Sequence, residues 1–215
     1  MTRREVAAGA LSLAAIASAH GAAAAEADVI VLPDPQRQGG MPLMDALRLR
    51  HSTRDYAARA LPPQILSNLL WAAFGINRPS GDRTAPYWRH VMVIDVYAAM
   101  ADGVWFYDPE KHRLLRYMGA DIRARTGFQD FVGTAPLNLI YVAHGERMGD
   151  ISAEDRRLYA SVDAAFIGQN VYLYCAAEGL ATVFRGAVDT KALGAALDLG
   201  AGQFVTFAQT VGYPG

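Results

Sequence analysis

Apolar residues recur along the chain with two periods, and the switches between them outline the elements. Leu43, Ala46, Leu47 and Leu49 fall at helical spacing and predict a short helix. Leu66, Leu69, Leu70, Ala73 and Phe74 form the apolar face of a second helix, which Pro62 and Pro63 start and Gly75 ends. Residues 76–90 are rich in glycine, proline and charge and read as a loop. VMVIDVY, VWFYD and HRLLRYM then read as strands joined by turns at Asp102-Gly103 and Asp108-Pro109, an antiparallel meander. ADIRARTG reads as a short helix and LNLIYVAH as a buried strand. Residues 154–178 form the longest helical run. From Val162 it is apolar nearly all round, interrupted chiefly by Asp163, Gln169 and Asn170. Such a helix is buried on most sides, by its own domain or by a partner subunit. GLATVFRG, DTKALGAALDLG and QFVTFAQTVGYP continue as strand, helix and strand. The meander argues against a purely parallel sheet, so the class is α+β.

Composition narrows the picture. At 215 residues, about half of them apolar, the chain suits one domain with an appended segment. A net charge of −1 argues against nucleic acid as a general partner. The lone Cys175 excludes an internal disulfide framework and sits in an apolar run as a small core residue. The start differs from the rest: paired Arg3 and Arg4, an apolar run from Val6 to Ala19, then Ala23 and Ala25 as an Ala-x-Ala site. That layout predicts a twin-arginine-like export signal over residues 1–25 and a mature domain over residues 26–215, working in the periplasm with no membrane anchor after cleavage. An ordinary secretory signal or a surface helix are the other readings.

Candidate chemistry begins with LRLRHSTRDY, residues 47–56. Arg50, Ser52 and Arg54 alternate, so an extended chain points all three one way. Two planar guanidinium forks flanking a hydroxyl suit a terminal phosphate monoester. Solvation, or pairing with Asp45 and Asp55, is the plainer alternative.

The Arg-x-Ser-x-Arg-x-aromatic run of Arg50, Ser52, Arg54 and Tyr56 resembles the start of the FMN-dependent nitroreductase family. LLWAAFGINRPSGDRTAP, QDFVGTAPLNLIYVAH, IGQNVYLYCAAEGLATVFRGAVD and the final QTVGYP resemble later segments of that family, in order, with the likeness nearest its exported and thiazole/oxazole-forming members. The resemblance implies a mainly antiparallel or mixed sheet flanked by helices, with the long helix at a homodimer interface. It implies FMN held by both subunits and an oxidoreductase passing hydride through flavin N5 between a small-molecule substrate and a second acceptor. It places Arg50, Ser52 and Arg54 at the phosphate and ribityl chain and the backbone of His51 beside them. The turn Glu178-Gly179-Leu180 is then expected to present N–H groups to the ring, and His90 to stand near the pyrimidine edge. The turn also reads simply as a helix cap.

Two departures qualify this. Where the family pattern reads Ala-Pro-Ser-x-x-Asn-x-Gln, this chain has Ala85-Pro86-Tyr87-Trp88-Arg89-His90-Val91-Met92, and a basic residue usual after Gly-Tyr-Pro does not follow. His90 imitates an asparagine only in part. Tyr87 and Trp88 are bulky enough to stack on a ring or narrow its face. Arg185 reads as part of the pocket rim. His20, His51, His90, His112 and His144 show no metal-ligand spacing. No catalytic acid or base is assigned. A catalytically silent flavin- or aromatic-ligand-binding protein of the same fold is the alternative reading.

Overall fold

The computed structural model describes residues 28–215, so the export segment expected at residues 1–25 lies outside the described residues. Seven strands form one sheet: β1 (Val29–Val31), β2 (Ile94–Met100), β3 (Gly103–Asp108), β4 (Arg113–Met118), β5 (Leu137–His144), β6 (Ala181–Arg185) and β7 (Gln203–Gly212). Their order is β1-β4-β3-β2-β5-β7-β6, and every pairing is antiparallel. The meander β2-β3-β4 appears where turn residues and alternation predict it. β1 does not: its VIV is too short to show a period.

Period-two alternation divides the core. Ile94, Val96, Ala98, Leu139 and Tyr141 face one side, where helices α2 (Pro63–Phe74) and α3 (Ala153–Glu178) pack. Tyr97, Ala99, Ile140 and Val142 face the other, covered by α4 (Thr190–Ala196) and the turn around Ile122. The predicted helix at ADIRARTG is only a 3₁₀ turn, Arg123–Arg125. Thr126 follows it and folds its hydroxyl back to the Arg123 carbonyl, which ends the turn after one cycle.

The long helix α3 is capped at both ends. Ser152 accepts the Asp155 N–H, and Gly179 takes the left-handed conformation (φ 67°) that a β-carbon disfavours. Ala160, Ala164, Ile167, Val171 and Cys175 form its buried stripe. Its own domain covers only that side: Leu158, Tyr159, Val162 and Phe166 are exposed. The short helix α1 (Leu43–Leu49) packs against α3 and exposes Leu43, Met44 and Leu47. Among the described residues, no helix is long and apolar enough to cross a membrane.

Candidate functional site

The arginine row leaves α1 at Arg50, whose N–H returns to the Ala46 carbonyl. Thr53 N–H then donates to the Thr182 carbonyl (2.9 Å), which lays the row along the outer edge of β6. Ser52 Oγ lies 2.7 Å from the Tyr172 hydroxyl, and the Arg50 guanidinium stands 5.2 Å from the Tyr172 ring centroid. The same hydroxyl accepts the Phe184 N–H at 2.9 Å. One tyrosine of α3 therefore joins the row to the edge strand. Tyr56 tightens the bend by donating to the Thr53 carbonyl (2.6 Å). Burial pushes its hydroxyl well above the ordinary tyrosine range, against the pull of Arg185 and Arg54.

Alternation holds for two of the three row residues. Arg50 and Ser52 share Tyr172, whereas Arg54 is exposed and acts electrostatically on Tyr56. The plainer pairing holds for Arg48, whose Nη2 lies 3.4 Å from Asp45, but among the described residues no ion pair engages Arg50 or Arg54. Two uncompensated guanidinium groups and a hydroxyl are the donor set a phosphate monoester requires. His51 is exposed, with its Nδ1 2.7 Å from the Leu49 carbonyl.

The turn after α3 comes to the same edge, because Leu180 precedes by two residues the Thr182 that receives the row. Glu178 and Gly179 are exposed and Leu180 is buried. The N–H groups of Gly179 and Leu180 both donate to the Cys175 carbonyl, closing the helix.

The altered loop stands apart from the row. Asp163, near the middle of α3, is buried and accepts the Trp88 N–H through Oδ2 at 3.0 Å. Asp163 and Tyr172 are nine residues apart, about 13 Å along the helix. Burial pushes the Asp163 carboxyl up to about 6. On the residue next to Trp88, Asp82 receives the hydroxyl of Tyr87 together with that of Ser80, with His90 Nδ1 at 3.4 Å. Those bonds, Tyr87's foremost, hold Asp82 down to about 2. Directly after these two anchored residues, Arg89 and His90 are both left-handed, with φ of 47° and 57°. The His90 side chain is 85 % exposed. Tyr87 stands edge-on to Phe74 and Trp88 lies beside Tyr159, so both are occupied within the subunit.

Arg185 is a correction. It is 3 % exposed, not on a rim. It donates to the Thr126 carbonyl and hydroxyl, Asn138 Oδ1 and Thr210 Oγ1, all neutral acceptors. A β-carbon at Gly127 would collide with the guanidinium, so the chain wraps it closely. Burial pulls its pKa down to about 10. Sequence reasoning missed Tyr172, Asp82 and Asp163 as organisers of the site. Asp163 carried a signal, a carboxylate within an apolar helix; Tyr172 looks like any other aromatic on that helix.

Comparison with known proteins shows what the chain as a whole is similar to. A model of the nitroreductase family matches residues 47–213, from the row to the Gly-Tyr end of β7. A provisionally named nitroreductase of Methanocaldococcus jannaschii is 30% identical over 168 residues, which is 74% of this chain and 83% of that protein. A crystal structure of another provisionally named nitroreductase, from Ralstonia eutropha JMP134, superposes with a TM-score of 0.83 at 43% identity, covering 87% of this chain and 90% of the other. The NADPH:FMN oxidoreductase of Vibrio harveyi, solved with NAD+, shares the fold at a TM-score of 0.60 and 18% identity, over 80% of this chain and 68% of its own.

Proposed function

The chain belongs to the nitroreductase family, and on that premise we propose that it is an FMN-dependent oxidoreductase acting on a small organic substrate. The observation that carries this reading is the row. Arg50 and Arg54 keep their charge unpaired at the sheet edge, and Tyr172 holds Arg50 and Ser52 in place. When bound, FMN supplies two-electron transfer between a donor and an acceptor. The residues of this chain anchor its phosphate through Arg50, Ser52 and Arg54. The Glu178-Gly179-Leu180 turn and the Tyr87–Met92 loop border its ring. A homodimer is part of the proposal. Leu158, Val162 and Phe166 recur every four residues along α3, beside the exposed Leu43, Met44 and Leu47 of α1, and one copy's stripe suits another's.

The test is the visible spectrum of protein produced with FMN available. A yellow dimer whose colour bleaches with a reductant and returns with an acceptor is expected. A colourless protein that ignores added FMN overturns the reading. Arg50→Ala should weaken FMN binding 10- to 100-fold, since a hydrogen bond to a charged group contributes about 1.5–3 kcal/mol. Its circular dichroism should be unchanged. Export, expected from residues 1–25, supports a donor other than NAD(P)H; bleaching by NADPH within milliseconds would overturn that part alone. One observation favours a second reading, a flavin-binding protein without turnover: the N–H groups of Gly179 and Leu180 are engaged with Cys175. A yellow protein that no reductant bleaches would select it.

A further inference from the structure

A cavity of about 260 Å³ opens beside β2 and β3, with Met92 in its wall and none of the row residues among its lining. Its walls are apolar at Phe74, Ile94, Val96 and Phe106, and charged at Arg83 and Arg147. Arg83 is unusual among the described arginines. Its side chain is only 7 % exposed, yet its donors are poorly matched. Nε points at the Met92 thioether (3.5 Å), a weak acceptor, and Nη2 makes a long 3.3 Å contact with Glu110. Nη1 is buried and has no hydrogen-bond partner. An unmatched donor of a buried guanidinium is costly, and it disappears when an anion completes the fork.

The cavity also touches three carboxylates, and two are fully engaged. Asp95 is held by His144 Nε2 at 2.7 Å and by Arg147 at 3.3 Å. Asp108 is held by Arg113 at 2.8 Å and accepts the N–H groups of Glu110 and Lys111. Glu110 alone is loose, with its side chain 70 % exposed and one oxygen on Arg83. The unmet valence of this cavity is therefore a donor, not an acceptor. Arg147 also lines the cavity, 39 % exposed, but its Nη1 is already given to Asp95 and to the Met92 carbonyl, which leaves Arg83 as the under-used cation.

We propose that this cavity binds a small aliphatic carboxylate. The carboxylate takes the place of Glu110 on Nη2 of Arg83 and, with Glu110 displaced, completes the fork at the buried Nη1, while a short apolar tail lies against Met92 and Pro109. Glu110 acts as the resident competitor, covering the site until a ligand with an apolar tail replaces it. The inference needs no flavin and stands apart from the row.

The test uses the full chain, with and without FMN, and carbon-13-labelled butyrate followed by its carboxyl resonance. Saturable binding is expected under both conditions. Arg83→Met should weaken it at least tenfold, and Glu110→Gln should tighten it severalfold by removing the competitor. Arg50→Ala should leave it unchanged. No saturable binding, or binding unaffected by Arg83→Met, overturns the proposal. Should Arg83→Met not fold, Glu110→Gln decides: unchanged or weaker affinity overturns the site. Binding lost with Arg50→Ala, or seen only with FMN present, assigns butyrate to the flavin region and overturns it as well.

Discussion

The row and the altered loop are held by opposite means. The row is fastened by backbone and a neutral hydroxyl: Thr53 on Thr182, and Tyr172 between Ser52 and Phe184. The loop is fastened by two carboxylates, Asp82 and Asp163, just before a pair of left-handed residues. A neutral fastening is indifferent to pH and depends on helix and strand staying in register. A carboxylate fastening tolerates backbone strain and responds to protons. The half proposed to anchor the ligand is thus the one held without titratable groups, and the departure from the family pattern sits in the half held by carboxylates.

The largest effect should come from prying apart the row's half. At Gly168 a β-carbon would overlap the Phe184 ring, so Gly168→Val must push α3 off β6. A loss of about 3 kcal/mol in urea denaturation is expected, with proteolysis of the row accelerated more than that of the loop. A smaller effect should separate the halves by pH. The folded state holds the Asp163 proton up to about pH 6, whereas an unfolded aspartate releases it near 4. Stability therefore falls as pH rises through that window, by on the order of 2 kcal/mol. Asp163→Asn keeps an acceptor for Trp88 and should remove this slope; an unchanged pH profile would show that Asp163 is not its source.

Next in size, Tyr172→Phe leaves the Phe184 N–H unpaired and Ser52 without its partner, a loss of about 1–2 kcal/mol that should not vary between pH 5 and 8. A pH-dependent loss would erase the contrast between the halves. The smallest change is Arg89→Gly. It relieves a left-handed residue, partly offset by a freer unfolded chain, and should raise stability by under about 1 kcal/mol. A destabilisation would mean that the Arg89 side chain, 4.9 Å from the Trp88 ring, holds the loop more firmly than the carboxylates do.

Much of this was legible in the sequence because the signals were local. The helix at Pro63, the meander, the buried β5 and the Gly179 cap follow from period, proline and glycine alone. Alternation correctly paired Arg50 with Ser52. It could not show that they converge on Tyr172, 120 residues beyond Ser52, because that meeting depends on how α3 lies across β6. Arg185 failed for a related reason. An arginine following a turn reads as solvent-facing, and only the tertiary ring of Thr126, Asn138 and Thr210 makes it a core residue. Likewise Arg83 reads as loop charge until Phe74 and Met92 close over it.

The edge strand β6 carries one more consequence. Outermost strands offer open hydrogen-bonding groups to any other extended chain, and proteins that leave them bare tend to aggregate. On β6 the outward carbonyl of Thr182 is taken by the row and the outward N–H of Phe184 by Tyr172. The segment that would grip the ligand is also the guard that keeps the sheet from growing. Lifting the row's backbone or Tyr172 off β6 should therefore cost solubility as well as ligand binding.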